Sequence, residues 1–282
     1  MEITCNKVSY IYNEGLTISK KALNNINIKL EENKIYGIIG KSGSGKTTLL
    51  QLLDNLLIPS DGSILIGDYK INKSTKIKKI KEFRKNIGIV FQFPEEQFFE
   101  TTIKKEVEFA LKNFNHEKVF FEQKIIKALK MVGLNEEYLE KNPFSLSNGE
   151  KRRVAIASVL VYNPNVLILD QPTAGLDLKN KRILIELLKK INKKYNKKII
   201  IASHDIDMLY SLADDIIILE KGNVLVHGNK EEVFKNTKLL KTHNINIPKI
   251  IEFTNKVMDK KDIKLGNYND IKDLIKAVYR NV

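Results

Sequence analysis

Gly40-Lys41-Ser42-Gly43-Ser44-Gly45-Lys46-Thr47-Thr48 lies between two apolar runs of different character. Ahead of it, Ile35-Tyr36-Gly37-Ile38-Ile39 is short and continuous, the pattern of a buried strand. After it, Thr48-Leu49-Leu50-Gln51-Leu52-Leu53 has helical spacing and no breaker. A glycine-rich turn between strand and helix lets successive backbone N–H groups face one anion, and the helix start adds partial positive charge. In that context G-x-x-x-x-G-K-[ST] predicts a phosphate cradle built from residues 40–48. Lys46 would reach the terminal phosphates, and the Thr47 hydroxyl would hold magnesium.

Outward from this loop, residues 2–33 alternate and carry β-formers, which predicts antiparallel strands beside the loop's strand, with 13–21 as a polar insertion. Residues 61–68 predict another hairpin arm. Buried strands are predicted at 87–91, followed by Gln92, at 166–169, ending at Asp170, at 198–202, ending at Ser203-His204, and at 216–219. Helical runs between them imply right-handed crossovers and a largely parallel sheet, the α/β class. In such sheets ligands sit at the carboxyl ends of the strands, where Gln92, Asp170 and His204 all stand. Residues 102–142 turn helical and charged, which predicts an inserted helical subdomain over about 97–160. Residues 230–282 carry amphipathic helical segments, including 248–258 with Pro248 in its first turn, and 270–278. That stretch is too short for its own core, so it is expected to pack on domain 1–229 or on a partner subunit.

The chain has 282 residues, 43% of them hydrophobic, enough for one large domain and an appendage. No apolar run approaches the length of a membrane span, and the N-terminus does not resemble a signal peptide. Cys5 is the single cysteine, which excludes an internal disulfide and fits a reducing compartment. The formal net charge of +14 comes mostly from lysines that are scattered, without interleaved aromatics. The densest run, 73–85, is expected to be a solvated loop and helix face, so no nucleic-acid partner is expected.

Val166-Leu167-Ile168-Leu169 followed by Asp170 places a carboxylate where it can hold magnesium through water, facing Thr47 across the phosphates. Leu146-Ser147-Asn148-Gly149-Glu150 precedes an apolar helix, and Ser147 with Glu150 has the form of a capping box. A serine hydroxyl and a glycine amide at a helix start also suit a second phosphate clamp. Leu-Ser-Asn-Gly-Glu resembles the signature motif of ATP-binding cassette (ABC) ATPases, usually Leu-Ser-Gly-Gly-Gln. Ala174-Gly175-Leu176-Asp177 resembles that family's D-loop, Gln92 its Q-loop and His204 its switch histidine. The motifs stand in family order over residues 1–230.

The resemblance implies a P-loop ABC ATPase core with an antiparallel N-terminal β subdomain, binding ATP and Mg²⁺ in a head-to-tail dimer. Ser147 and Gly149 would act on the partner's nucleotide, and Asp177 would contact the opposite subunit. Tyr12 matches the aromatic that stacks on adenine, Gln92 joins Thr47 and Asp170 at the metal, and His204 contacts the γ-phosphate. Phe91-Gln92-Phe93-Pro94-Glu95-Glu96-Gln97-Phe98-Phe99-Glu100 is similar to the Gln-Phe-Pro-Glu stretch of energy-coupling factor (ECF) transporter ATPases. Lys151-Arg152-Arg153-Val154-Ala155-Ile156-Ala157, the loop after Tyr12 and the C-terminal extension point the same way. In that family two related ATPases pair beneath a transmembrane coupling subunit, which carries substrate-binding membrane proteins for vitamins or metal ions. The chain resembles the second of the pair, peripheral on the cytoplasmic face of the membrane, in a heterodimer or a homodimer. The segment after Gln92 would receive the coupling subunit.

One position departs from the pattern: Gln171 stands where the family has the glutamate that polarises the attacking water. An amide cannot accept that proton, and loss of a general base costs about 10²–10⁴-fold in rate. Gln171 is either an engineered trap or a natural weak site, and in both cases binding should survive. Glu150 adds a negative charge near the second clamp. Alternatives are the ATPase of an ordinary binding-protein-dependent importer, a nucleic-acid- or ribosome-associated cassette, and a non-catalytic regulatory cassette.

Overall fold

The computed structural model describes residues 1–75, 83–114, 118–261, 266 and 271–281. Its strands are β1 (Ile3–Tyr12), β2 (Lys20–Leu30), β3 (Ile35–Ile39), β4 (Asp61–Ile66), β5 (Tyr69–Ile71), β6 (Ile87–Val90), β7 (Val166–Asp170), β8 (Lys198–Ala202), β9 (Asp215–Glu220) and β10 (Asn223–Asn229). Its helices of at least six residues are α1 (Lys46–Leu53), α2 (Ile103–Asn113), α3 (Phe121–Met131), α4 (Asn148–Leu160), α5 (Leu178–Tyr195) and α6 (Ile206–Leu212), then α7 (Lys230–Lys235), α8 (Thr237–Thr242), α9 (Lys249–Lys261) and α10 (Ile271–Asn281).

Six strands form one sheet in the order β10-β9-β3-β8-β7-β6. Its pairs are parallel except the β9–β10 hairpin. The β2-β1-β4-β5 sheet is antiparallel, as the alternation over residues 2–33 and 61–68 implies. Strands β3, β7 and β8 are buried along their whole length and mostly apolar because both faces are covered. Tyr36, Ile38, Ile168 and Ile200 point into a core shared with Ile3, Ile26 and Ile64 of the antiparallel sheet. Their neighbours Ile35, Ile39, Leu167 and Ile201 point the other way, into a core with the helices. This two-residue alternation in the apolar runs joins three layers.

Helix α1 begins at Lys46, two residues before the apolar run, because Gly45 ends the turn in the left-handed region at φ 103°. Only glycine fits: a Cβ there would lie 2.6 Å from Leu23 Cδ2 and 2.8 Å from the Ala22 carbonyl oxygen. At the far end of α1, Asp54 is 5% exposed, and burial pushes its carboxyl up to about 7 against the attraction of Arg84.

Helices α2, α3 and α4 occupy the region expected to be helical, with a short turn at Pro94–Gln97 ahead of them. In the C-terminal stretch Leu240 is buried, and Ile245, Ile247, Ile250 and Ile251 pack on the helix-side core. The Lys249 N–H donates to Asp207 Oδ1 at 2.8 Å, so this stretch docks on the main domain. Pro248 precedes α9 instead of entering it, and its carbonyl accepts the Glu252 N–H at 3.0 Å. Of the lysine-rich run, residues 76–82 lie outside the described residues, as does position 270 at the start of the last predicted segment.

Candidate functional site

Neighbours β3, β8, β7 and β6 run parallel, so their carboxyl ends and the loops that follow stand side by side. A cleft of about 510 Å³ opens there. Ser42, Gly43, Gly45, Lys46, Thr47 and Thr48 form its floor, and Gln92, Asp170, Gln171 and His204 reach it from the other strand ends. Tyr12 closes one side, its hydroxyl 3.1 Å from Thr48 Oγ1 and its ring edge-on to Tyr10 at 4.8 Å. Gly40, Lys41 and Ser44 line a second cavity of about 230 Å³ on the other flank of the loop, beside Glu220 and His243.

The Thr47 hydroxyl donates to Asp170 Oδ2 at 2.8 Å. Asp170 is 6% exposed, and burial raises its pKa, opposed by the Thr47 hydrogen bond and the Lys46 charge. Lys46 is also buried, which lowers its pKa, and its ammonium donates to the Gly40 and Lys41 carbonyls at 2.8 and 3.0 Å. Burial lowers the His204 pKa, and nearby Lys46 lowers it further, so its ring is held toward the neutral form. Gln171 sits at φ 49°, its N–H on the Ala202 carbonyl at 2.8 Å and its Oε1 accepting the His204 N–H at 3.2 Å. That pair of bonds fixes the carboxamide between β7 and β8.

Lys20, Lys21 and Lys221 also line the cleft and escaped the sequence reading. In a chain this rich in lysine nothing local marks them. The one signal is Gly222, where a Cβ would come within 2.7 Å of the Ala22 carbonyl oxygen. The Asn24 N–H donates to the Gly222 carbonyl at 2.8 Å, and the Gly222 N–H donates to the Ser44 carbonyl at 3.1 Å. The β9–β10 turn is thereby clamped between β2 and the loop.

Ser147, Gly149 and Asp177 do not line this cleft. Ser147 and Glu150 form the capping box of α4. Ser147 donates both its N–H, at 3.0 Å, and its hydroxyl, at 2.6 Å, to Glu150 Oε2, while Tyr138 donates to Oε1 at 2.6 Å. These donors, Ser147 first, hold the Glu150 carboxyl down at about 2. The Ser147 hydroxyl proton is therefore already engaged within its own helix start. Asp177 caps α5, accepting the Asn180 N–H at 2.7 Å and its Nδ2 at 3.1 Å. A Cβ on Gly149 would collide with the Asn180 side chain, so Gly149 is also where α4 meets the start of α5.

A family model described as ABC transporter matches residues 23–174. The chain is 40% identical to the energy-coupling factor transporter ATP-binding protein EcfA2 of Mycoplasma capricolum over 269 residues, covering 95% of this chain and 93% of the relative. It is 42% identical to EcfA2 of Staphylococcus epidermidis over 253 residues, covering 89% and 88%. Among solved structures it superposes on cbiO1 of Clostridium perfringens, described as part of the ABC transporter complex cbiONQ, with TM-score 0.75 and 35% identity over 88% of this chain and 96% of the other. It also superposes on the ATP-binding cassette MJ0796, a dimer bound to ADP and Pi in a post-hydrolysis state, with TM-score 0.70 and 29% identity over 81% and 98%. With the phosphate-loop cleft in place and these relatives spanning most of its length, the chain belongs to the ABC transporter ATPases, and within them to the energy-coupling factor transporter ATP-binding proteins.

Proposed function

We propose that the chain holds ATP with magnesium in the cleft over residues 40–48 and works as one half of a paired ATPase that powers vitamin or metal-ion uptake. The observation that carries this is the 2.8 Å approach of Thr47 Oγ1 and Asp170 Oδ2 beside the buried Lys46 ammonium. A hydroxyl and a carboxylate are hard oxygen donors, and magnesium characteristically takes one or two of them and completes its shell with phosphate oxygens and water. Among the described residues no three His, Cys, Asp or Glu cluster as metal ligands, so a cation here would depend on the phosphates. Bound there, magnesium would neutralise charge on the terminal phosphates. Lys46 would turn from the Gly40 and Lys41 carbonyls to those phosphates, Tyr12 would stack on adenine, Gln92 would face the metal, and His204 would meet the γ-phosphate.

Gln171 lies where the attacking water would be activated, and its amide cannot take up a proton. This chain's own cleft would then bind ATP and turn it over slowly. Ser147 and Gly149 would serve the nucleotide of the partner ATPase, a paralogue or a second copy, with Asp177 touching that subunit. Residues 230–282 would add to the subunit contact. The naming of the relatives as energy-coupling factor subunits supports a transmembrane coupling partner, with a substrate-binding membrane protein attached to it. No helix among the described residues is long and apolar enough to cross a membrane. By analogy with that family, attachment to the coupling subunit would be peripheral, on the cytoplasmic face, through the segment after Gln92.

The purified chain, mixed with fluorescent ATP and magnesium, should retain nucleotide and convert to a dimer on size exclusion, alone or with its paralogue. Mass spectrometry of co-purified membrane proteins should identify the coupling subunit. A chain that neither holds ATP nor closes onto a sister subunit overturns the proposal.

A further inference from the structure

Arg152 is 1% exposed, one of the largest side chains wholly inside the protein, although it carries a full charge. It projects from α4 into the gap between two loops that α4 itself does not contain. Toward one it donates from Nη2 to Glu95 Oε1 at 3.1 Å, in the turn Pro94–Gln97. Toward the other its Nη1 reaches the Pro172 carbonyl at 3.0 Å and that of Gln171 at 3.5 Å, and its Nη2 reaches the Ala174 carbonyl at 3.2 Å. Those carbonyls belong to the stretch that begins at Gln171 and leads into Asp177. A guanidinium can hold several acceptors in one fixed plane, which a lysine cannot.

A helix needing only packing at this point would carry an apolar side chain, whereas a buried guanidinium is costly unless it is paired, as Arg152 is here with Glu95. Glu95 lies on the turn that follows Gln92, and Phe93, which leads into that turn, holds a left-handed backbone at φ 51°.

We propose that Arg152 is a positioning residue that ties the turn Pro94–Gln97 to the loop 171–174, so that movement of the turn changes how Gln171 is held in the cleft. What it regulates rests on the nucleotide-binding function proposed above; the bonds that make the tie are between protein groups alone. Contraction of the turn toward the guanidinium leaves the three carbonyls gripped. Withdrawal of Glu95 removes the counter-charge, and Arg152 then follows the carboxylate or loses its alignment on the carbonyls.

The test is hydrogen exchange on the full-length chain without nucleotide. The Gln171, Ala174 and Leu176 amides are each bonded in the native loop, to the Ala202, Gln171 and Thr173 carbonyls at 2.8, 3.0 and 3.2 Å, and serve as reporters. Glu95→Gln changes only the turn's side of the clamp and leaves every bond inside loop 171–176 chemically intact. It is expected to speed exchange at these three amides about tenfold while the strand Ile35–Ile39 exchanges at its original rate. Glu95→Asp, which keeps the charge, should restore part of the protection. Unchanged exchange at the three amides overturns the inference, and so does equal acceleration throughout the chain, which marks a general loss of stability. A variant series that behaves as expected in a protein that binds no ATP upholds the tie and overturns the proposed function instead.

Discussion

Thr47 donates its hydroxyl hydrogen to Asp170 at 2.8 Å although 123 positions separate them along the chain. The contact joins the first turn of α1 to the end of β7, two strands away from β3 across β8. A cation that replaces this hydrogen would find both oxygens already converging.

Removing either oxygen should therefore weaken the magnesium-dependent part of ATP binding. Thr47→Ala and Asp170→Asn are each expected to loosen retention of ATP with magnesium about 10–100-fold. Binding in a chelator should change far less. Displacement of a fluorescent ATP, with and without magnesium, separates the two.

Gln171 holds its backbone by the Ala202 carbonyl and its side chain by the His204 N–H, and a glutamate could accept that same N–H. Gln171→Glu is thus expected to keep the loop and gain a proton acceptor. Phosphate release by the closed dimer should rise about 10²–10⁴-fold. A single-turnover assay with radiolabelled ATP measures it, and an unchanged rate contradicts the role given to Gln171.

Glu150 draws the Ser147 hydroxyl proton into the capping box and places a carboxylate beside the proposed clamp. Glu150→Gln keeps a box-forming residue and removes the charge. Association of two chains driven by ATP should then need several-fold less nucleotide, with α4 no less stable by more than about 1 kcal/mol. Analytical ultracentrifugation across an ATP titration, paired with thermal melting, checks both parts.

Burial raises the Asp54 pKa from 3.8 to about 7, so the folded protein binds this proton more tightly than the unfolded chain. Stability from this group is intact below about pH 4 and declines as the pH rises to 7, where the carboxylate must ionise inside the fold. Asp54→Asn should leave the low-pH melting temperature unchanged and raise it at pH 8 by a few degrees, a gain on the order of 1–3 kcal/mol. Scanning calorimetry at the two pH values decides it.

The places of the strands along the chain, the glycine loop and the capping box are all legible because each depends on neighbours in sequence. The continuous apolar run at Ile35–Ile39, φ 103° at Gly45 and the Ser147–Glu150 bonds involve at most a few consecutive residues. The start of α1 was two residues early because the glycine's left-handed backbone, rather than the first apolar side chain, opens the helix. Arg152 stands in the sequence as one member of the basic run Lys151-Arg152-Arg153, and no local pattern reveals that a basic residue will be buried among carbonyls from another loop. Lys20, Lys21 and Lys221 were hidden for a related reason: their approach to the cleft depends on how β2 closes against the β9–β10 turn.

Sequence by itself determined the local chemistry of this protein: a phosphate loop between strand and helix, carboxylate and imidazole at strand ends, and a capped second helix start. Those features follow from backbone torsions and side-chain spacing, which act over a few residues. Tertiary structure alone decided which of them meet. The order β3-β8-β7-β6 brings Thr47 to Asp170 and Gln171 to His204, while Ser147, Gly149 and Asp177 are left outside the cleft. Strand order is settled by burying both faces of the sheet at once, a property of the whole chain and of no segment of it.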